Sequence, residues 1–136
     1  MSVDPINPPD LGPTPGYANG MLGREGGRVL FVAGQIGLTP GEAGPAETRL
    51  PAQFGEALRR IARVVQEAGG QPTDVGRMTA YVTDIDLYRR CRKAIGPVWR
   101  AHFGTHYPAM ALVEVKALLD EGALVEIEAT AVIGGR

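Results

Sequence analysis

Apolar and polar residues alternate with the two-residue period of a β-strand in four stretches of this chain, and recur every three to four residues in two longer ones. The strand-like stretches are Arg28–Ile36, Asp74–Thr83, 109–117 and 123–133. In the second of these, Val75, Arg77, Thr79, Tyr81 and Thr83 alternate against Met78, Ala80 and Val82, and in the last, Glu126 and Glu128 alternate against Val125, Ile127 and Ala129. The segment Pro51–Ala68 places Phe54, Leu58, Ile61, Val65 and Ala68 on one helical stripe, with Pro51 suited to the first turn and Gly69-Gly70 to the stop. Asp86–Phe103 is also helical in pattern. Its Gly96-Pro97 predicts two helical pieces, since a proline in a helix interior costs about 3 kcal/mol. Asn19–Leu22 reads as a short strand and Gly23–Gly27 as a turn, so residues 18–36 are expected to form a β-hairpin. Gly37–Pro51 is expected to be a loop. Residues 1–16 hold five prolines and are expected to form an extended or mobile arm ahead of one domain, 17–136.

The predicted order is β-β-α-β-α-β-β, an α+β fold with a mixed sheet and both helices on one face. Phe31, Ala33, Val113 and Val115 then lie on a sheet face that no helix covers, and self-association is the simplest cover for it.

The chain has 136 residues, 44% of them apolar, enough for the core of one domain. A formal net charge of −1, with the arginines scattered, gives no phosphate track. Nucleic acid and membrane partners are therefore not expected, and nuclease activity is disfavoured. A single cysteine excludes an internal disulfide, and with two histidines no metal site is expected. The first residues lack the basic and apolar regions of a signal peptide, and no apolar run has membrane-spanning length; the expected location is cytoplasmic. Twelve arginines against two lysines, with abundant Ala and Gly, suggest a bacterial GC-rich source.

Two carboxylates on one face of an otherwise apolar strand belong either to a solvated surface or to a polar site. Glu126 and Glu128 are the candidates. Tyr17 either walls a pocket or pins the arm to the body. Trp99 and Cys91 fall on the apolar stripe of the second helix and are expected to be buried, the thiol inert. Gly34 and Gly37 are expected to permit close backbone packing or a bulge in a curved strand. The only basic cluster is Arg89, Arg90, Arg92 and Lys93. Of the two histidines, His106 directly precedes a strand that carries other candidate residues and is the better pocket candidate.

The segments PGYANG (15–20), FVAGQIG (31–37), VVQEAGG (64–70), MTAYVTD (78–84), YPAMALVEV (107–115) and VEIEATAV (125–132) together resemble the YjgF/RidA family, also called endoribonuclease L-PSP. They span nearly the whole chain in the family's order. The resemblance implies a chorismate-mutase-like fold and a homotrimer whose sheets form an inner barrel, with a small-molecule pocket at each subunit interface. It also implies cofactor-free hydrolysis of reactive enamines and imines such as 2-aminoacrylate. In the best-known members an arginine after Pro-Ala binds the substrate carboxylate; Met110 stands there in this chain and cannot form that bidentate pair. Ala33 stands where the family's serine does, Leu112 where its cysteine does, and its pocket asparagine falls near Gly96. Tyr17 and Glu126 match.

The resemblance thus implies Glu126 as the catalytic group, with Tyr17, Ala33, Met110, Leu112 and His106 lining the site. Arg92 or Lys93 is a candidate replacement for the missing arginine. Two functions follow. One is a deaminase acting on a small imine or enamine other than 2-aminoacrylate. The other is a non-catalytic trimer that binds a small metabolite or has a regulatory role.

Overall fold

A computed structural model describes residues 1–136. Strands β1 (Val3–Ile6) and β2 (Gly20–Gly23) form an antiparallel pair. Strands β3 (Arg28–Ile36), β4 (Val75–Val82), β5 (Ala109–Glu114) and β6 (Val125–Ile133) form a four-stranded sheet in the order β3-β6-β4-β5. Helix α1 (Ala46–Glu67) joins β3 to β4 across the intervening β6, and α2 (Ile85–Phe103) joins β4 to its parallel neighbour β5. The α+β class, the mixed sheet and the two helices sharing one face follow the sequence pattern.

That shared face is where the core sits. Phe54, Leu58, Ile61 and Val65 of α1, with Leu87, Cys91, Ile95, Trp99 and Phe103 of α2, pack on Met78, Ala80 and Val82 of β4 and Val125, Ile127 and Ala129 of β6. On β6 every odd-numbered residue is buried and every even-numbered one is half-buried. Val75 joins this core although it shares the parity of Arg77. A register shift against β6 between Val75 and Arg77 turns Val75 to the helix side.

Several expectations are overturned. The chain does not form a hairpin over 18–36: β2 pairs with β1, and β3 pairs with β6. Nor do residues 1–16 hang free as a whole. Val3 is buried and, with Met21, packs over the gap left by Gly76, and this apolar contact draws β2 toward β1. The Ser2 amide donates to Asp74 Oδ1 at 3.0 Å, and the Ser2 hydroxyl accepts from the Gly135 amide.

The expected break at Pro97 is absent, and α2 runs unbroken from Ile85 to Phe103. Gly96 has no Cβ to collide with the proline ring. Pro97 lies on the exposed side, while Ile95 and Trp99 hold the buried stripe together on either side of it. Helix α1 begins at Ala46, inside the expected loop, so Pro51 lies in the helix interior and not in its first turn. Pro51 has no amide hydrogen for the carbonyl of Glu47, one turn earlier, and the Cys91 thiol donates to that carbonyl at 3.5 Å. Burial first, then the charge of Glu47, raises the Cys91 thiol above its ordinary value, which keeps it protonated for this bond. Strand β5 ends at Glu114, short of the expected 117; the Glu114 carboxylate turns back to accept from the Ile85 amide at the start of α2.

Candidate functional site

The face of the sheet away from the helices is open. Phe31 is 80% exposed there, with Val29, Ala33 and Val113 also exposed. Cross-strand register places Arg77, Thr79 and Tyr81 of β4 beside Ala109, Ala111 and Val113 of β5 on this face, and Thr79 and Tyr81 beside Glu128 and Glu126 of β6.

The two glutamates are in different states. The Tyr81 hydroxyl donates to the Glu128 carboxylate. That bond raises the phenol above its ordinary value, with burial and the charge of Glu128 adding to it and that of Glu126 contributing least. Glu128 is therefore held within the sheet. Glu126 has no hydrogen bond or ion pair in the chain. Its carboxylate lies against Gly34 of β3, where a Cβ would come within 2.6 Å of Oε2. The register of β3 shifts between Val32 and Gln35, so Gly34 sits in a bulge beside Glu126, as the glycine pattern led us to expect. Gly37 fulfils the close-packing expectation: a Cβ there would lie 1.7 Å from the backbone oxygen of Gln53.

Gln53, buried in α1, fixes the approach to β6. Its amide nitrogen donates to Glu42 Oε2 and to the Gly122 carbonyl at 2.9 and 3.1 Å, and its oxygen accepts from the Leu124 amide at 2.8 Å. These bonds tie the loop after β3 to the turn that leads into Glu126.

Tyr17 stands between two cavities. The larger, about 540 Å³, also holds His106, Tyr107 and Phe103. His106 is buried with its Nε2 2.7 Å from the Val75 carbonyl; a carbonyl only accepts, so Nε2 carries the hydrogen. Its own carbonyl accepts from Trp99 Nε1, and Trp99 stacks on Tyr107. The smaller cavity, about 250 Å³, lies where Ala18 bridges Ala109 at the edge of the sheet, and Met110, Asn19 and Arg77 line it with Tyr17.

The structure thus brings Tyr17 together with His106 on one side and with Met110 on the other. Ala33 is exposed next to Gly34 and Glu126. Met110 and Leu112 pair in register with Met78 and Ala80, so they face the helices, half-buried against the core, on the opposite face from Glu126. Arg92 is exposed on α2 and lines neither cavity. Sequence reasoning passed over Arg77 and Asn19. Arg77 is visible in the β4 alternation, but only the pairing with Ala109 puts it beside Met110. No group of three or more His, Cys, Asp or Glu side chains converges to hold a metal ion, and no helix is long and apolar enough to cross a membrane.

A family model described as Endoribonuclease L-PSP matches residues 11–133. A 2-iminobutanoate/2-iminopropanoate deaminase of Capra hircus is 31% identical over 107 residues, 79% of this chain and 74% of that protein. Among solved structures, a protein of the conserved Rid family from Yersinia pestis, YyfB, has a TM-score of 0.77 at 29% identity. The match covers 98% of this chain and 100% of that one. A YjgF-family member from Mycobacterium tuberculosis is 36% identical with a TM-score of 0.63, covering 88% of each chain.

Proposed function

The chain belongs to the endoribonuclease L-PSP (YjgF/Rid) family, and from that premise we propose that it is a cofactor-free hydrolase of small imines or enamines, with Glu126 as its acid–base group. The observation that carries this reading is the unengaged carboxylate of Glu126, held against Gly34 while its neighbour Glu128 is occupied by Tyr81.

Imine hydrolysis needs two proton movements at one place. Water adds to the imine carbon, forming a C–O bond as the C=N π electrons pass to nitrogen. The Glu126 carboxylate takes a proton from that water and returns one to the nitrogen. The resulting carbinolamine gives its hydroxyl proton to the same carboxylate, which returns one to the nitrogen, and ammonia leaves as the C–N bond breaks and a carbonyl forms. No electron carrier enters the balance, and one positioned carboxylate serves both transfers.

The working unit we propose is a homotrimer in which a second copy covers the open sheet face. Within one chain, Glu126 and the Met110 edge lie on opposite faces of the sheet, so a site using both needs a neighbouring subunit. The exposed Phe31, Val29 and Val113 supply the apolar surface for that contact. With methionine at position 110 the substrate is not 2-aminoacrylate gripped in the family's manner, because no guanidinium stands there.

The test is ammonia release from imines generated freshly by an amino-acid oxidase. The wild-type chain is expected to accelerate release, and Glu126→Ala to lower the rate on the order of 10²-fold or more. Absence of activity across a panel of imino acids and cyclic imines would sink the hydrolase. The apolar surroundings of Met110 and Leu112 favour a second reading, a trimer that holds a small metabolite unchanged. It expects ligands that raise the melting temperature and are recovered intact after incubation.

A further inference from the structure

We infer that Arg77 is the anion-binding residue of the small cavity beside Met110, and that this cavity takes a small carboxylate with a short apolar body. The inference deepens the proposed function and rests on it for the role of the site.

Arg77 lies on β4 directly across from Ala109, on the open face, and is exposed. Its guanidinium has no hydrogen bond or ion pair in the chain; Arg28, Arg92, Arg100 and Arg136 also lack an ion pair, but none of these lines the cavity. Arg77 is the only charged residue lining the cavity. Tyr17 and Asn19 line the same space, and neither side chain makes a hydrogen bond within the chain. The backbone around Asn19 is fixed, because its amide donates to Asn7 Oδ1 at 2.7 Å and the neighbouring Ala18 amide donates to the Pro108 carbonyl at 3.1 Å. Ala109, Met110 and Ala111 supply the apolar wall.

A guanidinium fork with a tyrosine and an asparagine among the lining residues, and no carboxylate lining the cavity, matches a planar anion. The volume, about 250 Å³, falls below the roughly 300–1,000 Å³ of pockets that hold drug-sized ligands, so the occupant is a small metabolite. Arg92 and Lys93, the replacements suggested by the sequence, are exposed on α2 and do not line this cavity. Moving the cation from position 110 to Arg77 carries it to the adjacent strand and to the opposite face of the sheet. That shift distinguishes the ligand from one clamped by an arginine at 110. Glu126 of the same chain lies four residues from Thr130, the β6 partner of Arg77, or about 13 Å away along the strand. The carboxylate that would act on a ligand held here therefore comes from a neighbouring copy.

Three probes test this by NMR titration of the arginine Nε–Hε resonances and by calorimetry: 2-oxobutanoate, 4-oxopentanoate, whose carboxylate is more remote from its ketone, and the neutral butan-2-one. At least one carboxylate is expected to bind and to shift the Arg77 resonance, and the ketone to bind at least tenfold more weakly. Arg77→Met should weaken carboxylate binding tenfold or more, and Arg77→Lys should restore part of it. Glu126→Gln should leave binding in place, so that loss of turnover with binding intact, or the reverse, separates failure of the hydrolase from failure of the anion site. Unchanged binding in Arg77→Met, loss in Arg92→Met instead, or no carboxylate binding at millimolar concentration would overturn the inference.

Discussion

The two faces of strand β6 have the same backbone and opposite tasks. Val125, Ile127 and Ala131 are completely buried under the helices, and their packing holds the sheet together. Glu126, Glu128 and Thr130, interleaved with them, are half-buried on a face that nothing in the chain covers. On the helix side each residue is fixed by close packing and contributes stability. On the open side, residues are positioned by the same strand yet contribute little to holding it. Functional groups can stand on the open side without loss to the fold because the other side supplies the rigidity.

The comparison is broken most severely by Ile127→Ala, which removes a fully buried side chain between the two layers. The expected loss is about 2–5 kcal/mol in denaturant unfolding. A loss as small as that of a surface substitution would mean that the helix face is not the stabilising one.

On the other face, Phe31→Glu should leave the fold of one chain intact and dissociate the proposed trimer, because the 80%-exposed ring is replaced by a charge where apolar contact is expected. Sedimentation should report a monomer for the variant and a larger species for the wild type; a monomeric wild type would contradict the covered open face.

Gly34→Ala sharpens the contrast within the open face. The added methyl collides with the end of the Glu126 side chain at 2.6 Å, and a flexible side chain can move away. Imine hydrolysis is expected to fall about tenfold, the cost of roughly 1.4 kcal/mol of misplaced acid–base chemistry, while the melting temperature changes little. Equal loss of stability and activity would place Gly34 with the packing glycines such as Gly37.

The smallest effect belongs to Glu56 on α1, away from both faces. The hydrogen bond from Arg59, with help from Arg60, holds its carboxyl down at about 2, against an ordinary 4.5. A depressed folded-state value stabilises the protein above the unfolded value and ceases to do so as pH falls. The difference between wild type and Glu56→Gln should therefore be present above about pH 4.5 and vanish toward pH 2. The Arg59 partner is more than half exposed, so the difference should stay within about 0.5 kcal/mol.

Much of this molecule is legible without coordinates. The alternation in β4 and β6 and the stripes of α1 and α2 name the buried residues, because a side chain's facing follows from the period of its element. Glu126 and its separation from Ile127 follow in the same way, and so does the burial of Cys91 and Trp99. Pro97 misled because the rule about helix interiors ignores what holds the helix on either side, here Ile95 and Trp99 on the buried stripe. The hairpin over 18–36 misled because turn chemistry at Gly23–Gly27 does not reveal that Val3 and Met21 pack together over the gap at Gly76.

What the sequence determined by itself is therefore the elements, their faces and the unpaired apolar surface. Only the tertiary structure decided which strands are neighbours. Strand pairing joins residues distant in the chain, and its register is fixed by packing that no local period encodes. That is why Glu128 is found bound to Tyr81 while Glu126 is free, and why Arg77, one strand away, stands beside the cavity that Met110 lines without a charge.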